Sequence, residues 1–434
     1  MLKPGAALGD EAVIESQRRL ATLGLFRRVR IIELPHGASP TRDVLIEVEE
    51  APPTTIAYGG GLEAGRQLRE ADVSGVAEDR IYFAPRAFFQ VVRRNLWGKN
   101  RSITFFSRIS LRPTVADANP VAADDDGGYG FNEYRLVGTF REPRLIDTPG
   151  DLQITGFVEQ AVRSSFNFRR RGVLMEYGRR LGNTLTLIGR YAFDNTIVFD
   201  TNIADEDDIL VIDRLFPQVR LSKVIGSVLR DTRDDLLDPS RGTFSGLDVT
   251  LAPRSLGSEV GFAKTFAQAF AYRRLPAGVP LTFVAGVRLG TAVGFVRAID
   301  NEVVDDVPVS ERFFAGGDTT VRGFVLDRLG DEETLNERGF PQGGSGLVVL
   351  NGELRTGYWK GLGAVGFVDV GNVFRSAGDI RLGELRPAAG FGMRYRSPIG
   401  PLRVDLGFNL DRQLLPTGSR ERASVFHISL GQAF

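Results

Sequence analysis

Arg322 lies in the run Arg312-Phe313-Phe314-Ala315-Gly316-Gly317-Asp318-Thr319-Thr320-Val321-Arg322-Gly323-Phe324, within the longest stretch that lacks strand-like alternation. Gly316, Gly317 and Gly323 permit a tight backbone path around it. A connection of about fifty residues either hangs loose in solvent or folds back onto the body of the protein. If it folds back, the guanidinium enters a confined interior and requires carboxylate partners, because an unpaired buried charge is costly. Alternation in the next two strand-like segments puts Glu353 and Asp369 on inward faces, which makes them the candidate partners. The implied chemistry is electrostatic fixation of a loop rather than bond making. An exposed arginine on a loose loop is the competing reading, and a formed pair could serve stability rather than activity.

Other chemistry-bearing residues are sparse. The two histidines, His36 and His427, stand far apart, and there is no cysteine. A disulfide scaffold and a cysteine-ligated metal are therefore excluded, and a histidine-based metal site or triad nearly so. No nucleophile–base set can be assembled, so the sequence reads as a non-enzyme without metal or cofactor. Acidic clusters at Asp124–Asp126, Asp205–Asp208 and Asp331–Glu333 lack the spacing of a calcium loop and read as solvated surface in long connections. Gly59-x-Gly61 is a fragment of a dinucleotide loop without its third glycine.

The elements that would position these residues follow from periodicity. The 54 basic and 54 acidic side chains cancel, which argues against a nucleic-acid partner. No apolar run is long enough for a spanning helix, and Met1–Asp10 has neither the basic start nor the apolar core of a signal peptide. A spanning β-barrel carries neither mark, and the mean hydropathy of −0.08 fits one. Alternation dominates from Thr54 onward. Leu402, Val404, Leu406, Phe408 and Leu410 share one face of a strand, with Arg403, Asp405, Asn409 and Asp411 on the other. Leu281–Leu289, Leu185–Phe193 and Ile103–Leu111 repeat the pattern, whereas Phe262–Tyr272 is ambiguous because Lys264 and Gln268 share its aromatic face.

Turn signals divide this region into about sixteen strands, several of about 10–16 residues, longer than the soluble norm. Short connections (Trp97–Asn100, Leu181–Asn183, Pro276–Val279, Trp359–Gly361, Pro398–Gly400) alternate with long ones (Arg66–Tyr82, Pro113–Gly130, Asp200–Arg214, Val296–Ser345, Gln413–Arg422). That is the pattern of an outer-membrane meander, and closure removes edges that lipid would not tolerate. The reading is an all-β transmembrane barrel over residues 54–434. Residues 1–53 differ: a helix over Asp10–Leu23 capped by Asp10, strands over Leu25–Leu34 and Arg42–Glu50, then the stiff Ala51-Pro52-Pro53. This α+β unit is thin for an independent core.

Four motifs in order make the chain resemble the BamA/TamA superfamily of outer-membrane assembly barrels. They are Asp231-Thr232-Arg233-Asp234 with Pro239-Ser240-Arg241-Gly242, the Arg312–Phe324 run with its Val321-Arg322-Gly323-Phe324, Gly366-Phe367-Val368-Asp369-Val370-Gly371-Asn372, and Ser397-Pro398-Ile399-Gly400-Pro401-Leu402-Arg403-Val404-Asp405. Residues 2–50 resemble the C-terminal part of a POTRA domain, which implies a signal peptide and further POTRA sequence ahead of Met1. In the family the arginine of this loop pairs with acids at positions matching Glu353 and Asp369. The resemblance implies an outer-membrane protein of a Gram-negative-type bacterium with its N-terminal unit in the periplasm. It implies unfolded outer-membrane clients, with periplasmic chaperones, accessory assembly proteins, the bilayer and lipopolysaccharide as partners.

Ile56, Tyr58, Gly59, Gly60 and Gly61 fall in the first barrel strand, and Phe426, Ile428, Leu430 and Phe434 in the last. Three consecutive glycines pack weakly, so this seam should be the weak joint, open to strand addition. In the resemblance it is the place where clients are templated; the plainer alternative is that the glycines only permit curvature. The aromatic C-terminus resembles the signal by which barrels are themselves assembled. Two functions remain open, insertion of client barrels or autotransporters, and two-partner secretion that threads a polypeptide through the pore. A passive porin is disfavoured by the POTRA-like unit and the long loop. The spelling of the loop and of the Ser397–Asp405 hairpin favours assembly.

Overall fold

The computed structural model describes residues 7–35, 41–70, 77–113, 129–163, 166–199, 216–276, 280–299, 302–304, 307–397 and 400–430, together with residues 2, 5, 37 and 213. A helix, α1 (Asp10–Thr22), precedes an antiparallel pair, β1 (Phe26–Pro35) and β2 (Arg42–Glu50). Gly9, not Asp10, is the N-cap. The Gly9 carbonyl already accepts the Ala12 amide at 2.9 Å, so Asp10 and Glu11 lie inside the first turn, where their charge favours the helix dipole. This unit buries little, and Val44, Ile46 and Val48 remain exposed. Its linker is taut: the Ala51 amide donates to the Leu25 carbonyl, and the Pro53 carbonyl accepts from Arg94.

Sixteen strands then form one antiparallel sheet. In chain order they are β3 (Thr54–Glu70), β4 (Ala77–Leu96), β5 (Arg101–Pro113), β6 (Tyr129–Glu142), β7 (Gly150–Val162), β8 (Asn167–Leu181), β9 (Leu185–Phe199), β10 (Gln218–Asp231), β11 (Gly242–Ala252), β12 (Phe262–Leu275) and β13 (Leu281–Gly294). After the short hairpin β14 (Arg297–Ile299) and β15 (Glu302–Val304) come β16 (Gly346–Thr356), β17 (Leu362–Phe374), β18 (Arg386–Ser397), β19 (Gly400–Asn409) and β20 (Ser424–Leu430). Each sheet strand pairs with its sequence neighbour, and β13 pairs with β16 across the small hairpin.

The alternation read from the sequence is the alternation of the wall. Phe283 and Leu289 point outward and are exposed while Val284 between them is fully buried, as an apolar lipid face and a filled interior require. The connection read over Arg66–Tyr82 shrinks to residues 71–76, because β3 continues to Glu70 and β4 begins at Ala77. Polar residues there looked like loop; a strand that rises beyond the hydrocarbon layer no longer needs an apolar outer face, so it continues without that mark. The ambiguous β12 places its aromatic face inward, with Phe262, Phe270 and Tyr272 buried. The lumen is not wholly polar, because the loop between β13 and β16 brings apolar side chains into it: Phe313 stacks on Phe266 with ring centroids 6.2 Å apart.

Candidate functional site: the lumen loop and the seam

Residues 307–345 of the long connection fold into the barrel and are largely buried. Gly316 at φ +108° and Gly323 at φ +110° turn the chain where a side chain would be strained. A Cβ on Gly323 would also lie 2.9 Å from the Ala388 Cβ and 3.1 Å from the Phe408 carbonyl, so the loop tip lies directly against the β18–β19 wall. The Gly317 amide donates to the Phe324 carbonyl at 3.1 Å and closes this turn. Val321 is fully buried, and Phe324 is buried beneath the Arg386 guanidinium, 4.8 Å from its ring centroid.

Arg322 is 1% exposed and spends its donors on two acids of the wall. Its Nε donates to Asp369 Oδ2 at 2.8 Å, Nη2 to Asp369 Oδ1 at 3.1 Å, and Nη1 to Glu353 Oε2 at 2.5 Å. The Arg322 backbone amide also donates to Asp369 Oδ2, at 3.0 Å. The Phe367 ring lies under the guanidinium at 3.6 Å, adding a cation–π contact in a dry setting. Asn351 completes the clamp, donating to the Thr320 carbonyl at 2.7 Å and to Asp369 Oδ1 at 2.8 Å. Bidentate geometry fixes orientation as well as charge.

The network is wider than one arginine and two acids. Asp405 Oδ2 lies 3.7 Å from Arg322 Nη1, and Asp405 Oδ1 accepts from Arg394 at 2.6 Å. Arg403 donates to Asp318 Oδ2 of the loop at 2.7 Å and to the Ser429 hydroxyl of β20 at 2.8 Å. Sequence reading did not single out Asp405, Arg394, Arg355, Asn351 or Phe367 as members of this site. Period-two alternation from Glu353 and Asp369 carries Arg355 and Phe367 to the same inward faces, and it puts Arg394 inward on β18; that signal was available.

A second anchor holds the opposite side of the loop. Lys223 of β10 is buried between Asp194 of β9, at 2.8 Å, and Glu311 of the loop, at 2.7 Å. Lys264 of β12 donates to the Glu311 carbonyl at 2.6 Å, and Arg312 reaches Asp213 at 2.6 Å. The loop therefore straps the β9–β12 wall to the β16–β19 wall. Among the described residues no group of three or more His, Cys, Asp or Glu side chains is placed to hold a metal ion. His427 is buried on the inward face of β20, opposite Asp405 in the β19 register.

The seam residues lie on the first and last strands of the sheet but are not brought into one ladder. Ile56, Tyr58, Gly59, Gly60 and Gly61 pair with β4, opposite Val91, Phe89, Phe88, Ala87 and Arg86. Phe426, Ile428 and Leu430 pair with β19, opposite Leu406, Val404 and Leu402. Among the described residues no ladder joins β3 to β20, and β20 has 7 residues against 17 in β3. Phe434 lies outside the described residues.

Sixteen strands around an inward-folded, arginine-anchored loop define what the chain can be compared with. The Omp85 superfamily domain matches residues 118–434. The chain belongs to the Omp85 superfamily. Among curated proteins it is similar to the outer membrane protein assembly factor BamA of Nitratidesulfovibrio vulgaris, 27% identical over 312 residues, covering 69% of this chain and 36% of that protein. The chain thus spans about a third of that relative's length. Among solved structures, BamA from Haemophilus ducreyi lacking POTRA domains 1–3 superposes with a TM-score of 0.71 at 15% identity, covering 98% of this Omp85 chain and 79% of that one. CdiB from Acinetobacter baumannii gives a TM-score of 0.54 at 12% identity, covering 99% and 70%. Both likenesses concern the fold alone.

Proposed function

We propose that this Omp85 protein is a non-enzymatic outer-membrane assembly factor that templates and inserts client β-barrels or autotransporter-like proteins. The observation that supports the reading is that, among the described residues, no ladder joins β3 to β20 in an otherwise continuous sheet. A strand with free backbone donors and acceptors on one edge can receive another strand by hydrogen bonding. Ile56, Tyr58 and Gly59–Gly61 would offer that edge on one side, with Phe426, Ile428, Leu430 and Phe434 on the other. Val321, Arg322, Gly323 and Phe324 would hold the lumen wall firm while the seam works, through Glu353 and Asp369. Free energy would come from client folding, so no nucleotide is required.

In this reading residues 1–53 are a POTRA-like periplasmic unit, whose exposed Val44, Ile46 and Val48 suit the reception of unfolded segments. The protein resides in an outer membrane, and its partners are unfolded outer-membrane clients, chaperones, accessory assembly proteins and lipopolysaccharide-bearing lipid.

Two-partner secretion is the second reading, favoured by the fold shared with CdiB. It requires a clear path through the lumen, which the doubly anchored loop occupies. Reconstitution in liposomes with an unfolded barrel client separates the two. Assembly predicts protease-protected, heat-modifiable client. Transport of an exoprotein into the vesicle without any client insertion would overturn it.

A further inference from the structure

At the end of the seam distant from residues 1–53, the lumen loop packs against both β3 and β20, which share no ladder among the described residues. Phe340 is fully buried in a cluster with Leu68 of β3, Ala77 of β4, Val325 of the loop and Val425 of β20. Leu68 and Val425 are 1% and 2% exposed, so side chains from both edges of the seam are buried in the cluster that holds Phe340. The Ala77 amide donates to the Arg338 carbonyl at 2.9 Å, which fixes the start of β4 to the loop backbone. Gly339, between these two residues, bends at φ +80°, and its Cβ position lies 3.6 Å from Thr417 in the β19–β20 connection. Residues 338–340 thus touch both sides of the joint. A cavity of about 230 Å³ opens on the other side of this cluster, lined by its Ala77, Val325 and Val425 together with Glu78, Phe324 and Leu415.

We propose that residues 338–340 form a latch, with Phe340 as its wedge, that keeps the far end of the seam together and couples its opening to the seating of the loop that carries Arg322. The physical basis is a difference in kind between the two joints. A ladder resists opening through many backbone hydrogen bonds, whereas this contact is built around an apolar cluster. It is therefore released as a unit when the loop shifts. The reverse coupling follows: prising β20 from β3 withdraws Val425 and unseats the loop. The inference rests on the seam being the working edge, but its test reads geometry in the resting protein without any client, so it fails or stands separately from the assembly reading.

The chain has no cysteine, so a labelled pair is clean. Leu62 and Phe426 both point outward on the two seam strands and are exposed. Leu62→Cys and Phe426→Cys, spin-labelled in the otherwise intact protein in lipid, report the seam width by pulsed electron paramagnetic resonance. Phe340→Ala should broaden the distance distribution and lengthen its mean by about 5 Å or more, one interstrand spacing. Phe340→Leu should restore the narrow distribution. An unchanged distribution in Phe340→Ala overturns the latch. So does equal broadening from Phe270→Ala, which opens a comparable hole in the β12 wall away from the seam. If Phe340→Ala does not fold, Val425→Ala trims the same cluster from the other side and is judged by the same two outcomes.

Discussion

Glu353 divides its two carboxylate oxygens between two arginines, giving Oε2 to Arg322 and Oε1 to Arg355, each at 2.5 Å. One wall acid therefore neutralises both the loop's guanidinium and its strand neighbour. It is fully buried, so its removal takes a carboxylate from two cations at once, leaving Arg322 with Asp369. Glu353→Gln should destabilise the barrel by about 3–5 kcal/mol, the cost of breaking a buried pair. The shift of the heat-modifiable band to lower temperature on gels measures it, and an unchanged transition would mean that water reaches the site.

Arg322 and Asp369 share two side-chain hydrogen bonds and one from the backbone amide, so the side-chain pair can be separated from the backbone contact. A double-mutant cycle of Arg322→Ala with Asp369→Ala should show a coupling of about 1–3 kcal/mol. Arg322→Lys should recover only part of the loss, because an ammonium cannot make the fork. Additive single effects would remove the pair from the account of loop anchoring.

Gly323 has no room for a side chain against Ala388 and Phe408 and has φ +110°. Gly323→Ala should lift the tip of the loop from the wall. Single-channel conductance in planar bilayers should then rise and fluctuate more, with the barrel still folded. A conductance trace identical to the parent's would show that the wall yields to the methyl group.

The β10–β11 turn is set by Asp234, whose carboxylate accepts the Ser240 hydroxyl and the amides of Ser240 and Arg241. Burial opposes ionisation there, but these donors prevail and hold the carboxyl at about 2, below its ordinary 3.8. A lowered folded-state value means that the stabilisation is complete above about pH 4 and is lost as pH falls through about 2. Pepsin cleavage within residues 232–241 should therefore rise between pH 4 and pH 2. Asp234→Asn should be cleaved readily already at pH 4, and a flat profile in the parent would contradict the assignment.

A disulfide engineered between β3 and β20 should block client insertion until it is reduced. Full activity of the oxidised protein in the liposome assay would show that insertion does not need the seam.

The amino-acid sequence by itself determined the wall. Alternation over segments longer than the soluble norm fits a wall apolar toward lipid and polar or filled inward, and the placement of short and long connections orders the strands into a meander. It also put Glu353 and Asp369 on inward faces, since a two-residue period is a local property. Tertiary structure alone decided how far the loop enters and whom it meets. Asp405, Arg394 and Phe367 gather around Arg322 because strands distant in sequence curve around one lumen, a relation that no local period encodes. The same holds for Phe340, an aromatic in a glycine-rich connection, whose place between Leu68 and Val425 depends on where the first and last strands come to lie.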